Sequence, residues 1–262
     1  MRIFYSLDTN DDSKITFRDF NKSNLKDALF QVSVEEDINK VKDFFSYEHF
    51  YVIYCKFWEL DSDHDFLLSK EDFSKYEGYT LCKKAVERIF MQIPRKFKSK
   101  MKDTMCFEDF LAFIISEEDK TTDIAIKYWF SILDLDQNDI IGPHEMEYFY
   151  EEQLTRLEFL NHEPILFGDI LCQINDIFKP AKEGNYSIEI LKSHREFCPL
   201  FFNSLVNLNK FVAFEQRDVM AIKHDLLDNP NMNDWDRFVQ TEYARLSMED
   251  ENNEDVVFSY LE

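Results

Sequence analysis

The stretch Phe57-Trp-Glu-Leu60-Asp61-Ser-Asp63-His-Asp65-Phe-Leu67-Leu68-Ser-Lys-Glu-Asp72 sets the reading of the chain. An apolar Phe-x-x-Leu step, with both side chains on one helical face, runs into a loop with oxygen side chains at alternate positions and a carboxylate eleven residues after its start. The same pattern occurs twice more. Phe4-x-x-Leu7 leads into Asp8, Asn10, Asp12 and Asp19; Phe130-x-x-Leu133 leads into Asp134, Asp136, Asn138 and Glu145. This is the spacing of a twelve-residue loop that wraps a hard cation between two helices, the EF-hand.

The second half of such a loop has its own signature: apolar at position 8, small at 9, acidic at 12, apolar at 13. It appears at Ile15–Phe20, Leu68–Phe73, Met105–Phe110 and Ile141–Met146 and, with the acid one position earlier at Glu48 and Glu189, at Phe45–Phe50 and Tyr186–Leu191. Six units follow, with loops at 8–19, 38–49, 61–72, 98–109, 134–145 and 179–190. Those opening on Ile38, Lys98 and Lys179 lack ligands. A silent loop can still lend its position-8 backbone to a two-strand ladder with its neighbour. The expected fold is therefore all-α: tandem paired EF-hands with short ladders between loops, in an elongated helical array. Expected segments are pairs at 1–60, 61–120 and 121–200, a helical segment at 201–247 and a flexible acidic tail at 248–262.

Calcium takes about 6–8 oxygens. Loop 134–145 supplies them best, through Asp134, Asp136, Asn138, the Ile140 carbonyl and Glu145, with Gly142 leaving room for a water. Loop 61–72 offers Asp61, Asp63, Asp65, the Leu67 carbonyl and Asp72. The weaker candidate 8–19 offers Asp8, Asn10, Asp12, the Lys14 carbonyl and Asp19. The last two end in Asp, one methylene shorter than Glu, which favours fewer ligands, weaker calcium binding and a place for magnesium. Position 6 demands positive φ, yet these loops carry Ser13, Phe66 and Asp139 there instead of Gly.

A net charge of −22 argues against nucleic acid. No apolar stretch is long enough to span a bilayer. Five odd-spaced cysteines form no disulfide framework or zinc motif, and reduced thiols are expected. Four glycines supply no phosphate loop or dinucleotide fingerprint, the six histidines show no ligand spacing, and no nucleophile motif is present. A triad assembled from distant residues would leave no mark in a sequence. The residues favour a binding and regulatory protein over an enzyme.

Strings outside the loops are more specific. Phe45–Asp65, Phe110–Lys120, Tyr128-Trp-Phe130, Glu145–Gln153 and Asp234-Trp-Asp-Arg-Phe238 resemble the B-double-prime regulatory subunits of type 2A protein phosphatase. The resemblance runs from about residue 2 to about 247. It implies a non-catalytic subunit that docks on a HEAT-repeat scaffold subunit beside the catalytic subunit and directs the phosphatase to protein substrates. It also implies two calcium-binding hands, at 61–72 and 134–145, and a cytoplasmic location, with nucleus or centrosome as further sites. Family members carry a longer N-terminal region, so the chain is expected to be a fragment or short form. Two other readings fit the loops alone: a stand-alone calcium sensor or buffer, and a cytoskeletal or centrosomal scaffold with vestigial loops.

Overall fold

Helices Arg2–Leu7, Tyr47–Leu60 and Asp123–Leu133 each end on the Leu of a Phe-x-x-Leu step, so Asp8, Asp61 and Asp134 stand directly at their C-terminal ends. This computed structural model describes residues 1–8, 12–217, 229 and 232–259, and for 250–259 the backbone alone. The chain divides into two compact units, Met1–Glu59 with Asn231–Glu262, and Leu60–Pro230. Among the described residues no helix is long and apolar enough to cross a membrane.

The first unit contains α1 (Arg2–Leu7), α2 (Phe17–Lys22), α3 (Leu25–Val34), α4 (Tyr47–Leu60) up to Glu59, and the C-terminal helix Asp234–Ser259. Thr16 caps α2 reciprocally with Asp19: the Asp19 N–H donates to Thr16 Oγ1 (3.2 Å), and the Thr16 N–H to Asp19 Oδ2 (3.1 Å). Buried His49 on α4 joins three elements. Its Nδ1 lies 2.5 Å from Arg2 Nη1 and accepts from Trp235 Nε1 (3.2 Å), and its Nε2 lies 3.3 Å from Asp236 Oδ1. Lys56 pairs with Glu242 at 2.8 Å. The acidic run expected as a flexible tail continues the C-terminal helix to Ser259. Glutamate is a good helix former, and Arg245 supports the turn by pairing with Glu249 at 2.8 Å, four residues on.

In the second unit come β1 (Leu67–Ser69), α5 (Lys70–Ser74), α6 (Lys83–Phe90), β2 (Thr104–Cys106), α7 (Phe107–Glu118), α8 (Asp123–Leu133), β3 (Ile140–Ile141), α9 (Pro143–Phe159), α10 (Phe167–Phe178), β4 (Tyr186–Ser187), α11 (Ile188–Ser193), α12 (Cys198–Val206) and α13 (Leu208–Glu215). Two antiparallel ladders hold the hands together. Leu68 faces Met105 in β1–β2, and Ile141 faces Tyr186 in β3–β4. These four are the position-8 residues of consecutive loops, and all are fully buried. The third ladder expected between the first two loops is absent among the described residues. There a 3₁₀ turn, Ile38–Lys40, and the turn after it replace extended backbone.

Aromatic rings fill the core behind each ladder. Phe73 of α5 meets Phe113 of α7 edge-on, centroids 4.6 Å apart, and Tyr76 meets Phe113 at 5.1 Å. Behind β3–β4, Phe201 packs 5.1 Å from Tyr186 and 5.6 Å from Phe178. Such edge-to-face pairs add to the gain from burying the rings. Thr122 caps α8 by accepting from the Ala125 N–H (3.2 Å). On α9, Met146, Phe149 and Tyr150 turn inward as their spacing predicts.

Candidate metal centres

Three hydrogen bonds recur at matching positions in all three acidic loops. The position-1 carboxylate accepts from the N–H at position 6: Ser13 to Asp8 (2.7 Å), Phe66 to Asp61 (2.9 Å) and Asp139 to Asp134 (3.1 Å). The position-5 side chain accepts from the N–H at position 7: Lys14 to Asp12 (3.0 Å), Leu67 to Asp65 (2.8 Å) and Ile140 to Asn138 (2.8 Å). The position-12 carboxylate accepts from position 9: Thr16 Oγ1 to Asp19 (2.5 Å), Ser69 Oγ to Asp72 (2.7 Å) and the Gly142 N–H to Glu145 (2.7 Å). Position 6 is left-handed in every loop that closes: Ser13 (φ 60°), Phe66 (63°), Asp103 (57°), Asp139 (63°) and Gly184 (76°). One backbone template therefore serves acidic and silent loops alike.

The silent loop 98–109 shows what closure without an ion requires. Asp109, at position 12, accepts from the N–H groups of Lys98 (2.7 Å), Ser99 (3.1 Å) and Cys106 (3.1 Å). The backbone donors take the place of a cation. In 179–190, Asn175 of α10 does the same work from outside, its Oδ1 accepting from Gly184 N–H (2.8 Å) and the Tyr186 hydroxyl (2.6 Å).

Loop 61–72 is not closed in this way. Asp61, Asp63 and Asp65 bring carboxylate oxygens within 4.8 Å of one another. Asp61 is fully buried, and its Oδ1 has no hydrogen-bond partner. A buried carboxylate oxygen left unpaired costs about 1–3 kcal/mol or more, a cost that a cation held with Asp63 and Asp65 would offset. Asp72 is not part of this cluster. Its carboxylate is held by Ser69 and, at 2.9 Å, by Lys75 Nζ. Burial alone would raise its pKa, but the hydrogen bonds from Ser69 and Lys75 bring it below the ordinary aspartate value.

In loop 134–145 the Asp134 oxygens accept from Asn138 and Asp139 N–H, and Asp136 from the Asn138 N–H and side-chain amide. Glu145, fully buried, reaches back to the Leu135 N–H (2.5 Å) while holding Gly142. Burial, helped by the Glu145 charge, raises the Asp134 carboxyl. That crowding of like charge is what a divalent ion relieves. Arg88 of α6 donates to the carbonyls of Ser131 (3.1 Å) and Asp134 (2.8 Å), satisfying the C-terminal end of α8 where the loop begins. The side chains brought within 4.8 Å here are Asp136, Glu145 and His144, a residue that sequence spacing did not single out.

Loop 8–19 gathers no such cluster among the described residues. Both Asp8 oxygens accept from backbone, Asp12 at 3.1 Å and Ser13 at 2.7 Å. Asp19 is exposed, and its hydrogen bonds with Thr16 hold its pKa down. Asn10 lies outside the described residues.

No protein-family model matches the chain. It is 49% identical over 253 residues to the probable B''epsilon regulatory component of serine/threonine protein phosphatase 2A from Arabidopsis thaliana, a match covering 97% of this chain and 47% of that one. It is 43% identical to the B'' alpha regulatory component of the human phosphatase, over 95% of this chain and 22% of that one. A solved structure described as a PP2A PR70 holoenzyme, designated diCa, superposes with a TM-score of 0.72 and 43% identity, covering 80% of this chain and 77% of that one. The chain belongs to the B'' family of protein phosphatase 2A regulatory subunits. It spans about half or less of the length of the curated B'' relatives above. The B'' match takes in both acidic loops of the second unit, with their ladders and silent partners.

Proposed function

We propose that this chain is a calcium-binding, non-catalytic regulatory subunit of protein phosphatase 2A, governing holoenzyme assembly and the choice of protein substrates. Family membership supports the regulatory role. The unpartnered, buried Asp61 Oδ1 supports the metal, because the silent loop 98–109 satisfies its own carboxylate, Asp109, and loop 61–72 does not. Asp61, Asp63, Asp65 and the Leu67 carbonyl, with Asp72 after a shift of its side chain, are the ligands of the first ion. Asp134, Asp136, Asn138, the Ile140 carbonyl and Glu145 are those of the second. Loop 8–19 is a third, weaker candidate, and magnesium competes best at the loops ending in Asp. Bound calcium neutralises the carboxylates and fixes the angle between the helices flanking each loop.

The partners are the HEAT-repeat scaffold subunit and the catalytic subunit; the PR70 relative stands in a PP2A holoenzyme. The test is a pull-down of the purified chain with the scaffold and catalytic subunits, in calcium and in chelator. Retention that differs between the two conditions is expected. No association in either would overturn the regulatory reading, leaving a free-standing sensor.

A further inference from the structure

His144 occupies loop position 11, between Pro143 and the carboxylate that closes the loop. A side chain there would ordinarily face solvent along α9. Here a ring nitrogen of His144 lies within 4.8 Å of carboxylate oxygens of both Asp136 and Glu145. Gly142 makes this possible. A Cβ on Gly142 would stand 3.1 Å from His144 Nδ1, 3.2 Å from its Cε1 and 3.8 Å from Glu145 Oε2, so the bare α-carbon leaves the space in which the ring folds back beside the carboxylate.

The donor set is one imidazole nitrogen and two carboxylates, with Asp136 and His144 exposed and Glu145 buried. Calcium and magnesium take oxygen ligands and have little use for an imidazole. Zinc and related first-row ions take nitrogen and carboxylate oxygen together, at about 2.0–2.2 Å. In a tetrahedral site those bonds set donors about 3.4 Å apart, so a closure of somewhat over 1 Å from the 4.8 Å limit forms three corners and leaves the fourth to water. The hydrogen bonds already on Glu145, from Leu135 and Gly142, use one lone pair on each oxygen and orient the carboxylate without exhausting it.

The geometry points to a second mode of metal binding at this loop: Asp136, His144 and Glu145 take a borderline transition ion of the zinc class. Two of the three ligands belong to the calcium set, so the two ions exclude each other. This deepens the calcium reading at the exclusion step, whereas His144 ligation stands independently of it.

The test is calorimetric titration of the whole chain with Zn²⁺ in calcium-free buffer, for the native protein, His144→Gln and a control, His64→Gln, which changes the histidine in the neighbouring acidic loop. The native chain and the control are expected to take up one equivalent that His144→Gln binds at least tenfold more weakly. In the native protein, the imidazole resonances missing from the His144→Gln spectrum are expected to shift at one equivalent. Equal zinc uptake by native chain and His144→Gln, or unmoved His144 resonances, overturns the proposal. Calcium is expected to displace that equivalent. If zinc binds through His144 but calcium does not compete, the shared-ligand calcium site fails and the zinc site stands.

Discussion

One methylene separates Asp72 from Glu145, and it changes what each carboxylate reaches. Glu145 spans its loop to the Leu135 N–H, whereas Asp72 stops at Ser69 and Lys75. Asp72→Glu is expected to bring the fourth carboxylate of loop 61–72 to Asp61 and tighten calcium there by tenfold or more, read as a separate calorimetric isotherm. Glu145→Gln removes charge from the better-furnished loop and is expected to weaken calcium by about 1–3 kcal/mol; an unaltered isotherm would show that this carboxylate takes no part. Phe66 is half-exposed and held at φ 63°, a region asparagine tolerates far better. Phe66→Asn is expected to raise the metal-free melting temperature by about 2–4 °C, the size of a 1 kcal/mol gain in a unit of this length.

Pairs of elements carry the next level of constraint. Gly184, left-handed at φ 76°, leaves no room for a Cβ, which would sit 2.7 Å from Pro143 Cγ at the start of α9. A silent loop is thus pressed against the helix that carries Glu145. Gly184→Ala is expected to destabilise the chain by about 1–2 kcal/mol from the backbone conformation alone, and to weaken calcium at 134–145, measured by urea denaturation and titration on one preparation. Elsewhere, buried Glu117 of α7 pairs with Lys120 (2.5 Å) and with Lys210 of α13 (3.0 Å), while Asn207 donates to it at 2.7 Å. Burial alone would raise the Glu117 pKa, but the two lysines outweigh it and hold it below the ordinary 4.5. Its stabilisation is therefore complete above pH 4.5 and fades as pH falls through the lower, folded value. Glu117→Gln is expected to cost about 3–5 kcal/mol at neutral pH, with the gap to the native chain closing in acid. Urea midpoints across that range decide it.

How much of this was legible follows from the same elements. Two ladders could be read from the apolar position 8, and Leu68, Met105, Ile141 and Tyr186 pair as that repeat requires. Ile15 and Phe45, apolar in the same way, form no ladder among the described residues, because a turn over 42–45 replaces extended backbone. The helix ends could be read because Phe and Leu mark them. The self-closure of loop 98–109 could not, since it rests on backbone N–H groups that any sequence supplies. Nor could His144, whose approach to Glu145 depends on the empty space at Gly142 rather than on spacing. The Glu117 network joins residues about ninety positions apart, beyond the reach of local pattern.

Across the whole molecule, both better-furnished loops fall in the Leu60–Pro230 unit, and loop 8–19 falls in the other. An ion that binds only the folded state adds about 2.7 kcal/mol per site at a hundredfold excess over its dissociation constant. Scanning calorimetry with and without calcium is therefore expected to move a transition of the Leu60–Pro230 unit upward and leave that of the other unit in place. Movement of both would bring loop 8–19 into the metal-binding set. The net charge of −22 makes the metal-free chain self-repelling, so added monovalent salt is expected to narrow the calcium-dependent shift.

The hydrogen bonds that Asp109 and Asn175 make within the ligand-free hands need no ion to form. If the acidic loops bind calcium as proposed, loss of the ion is expected to leave at least one strand of each ladder held in place. Re-binding is then expected to be a local closing rather than the slow search that folding a lone hand would demand.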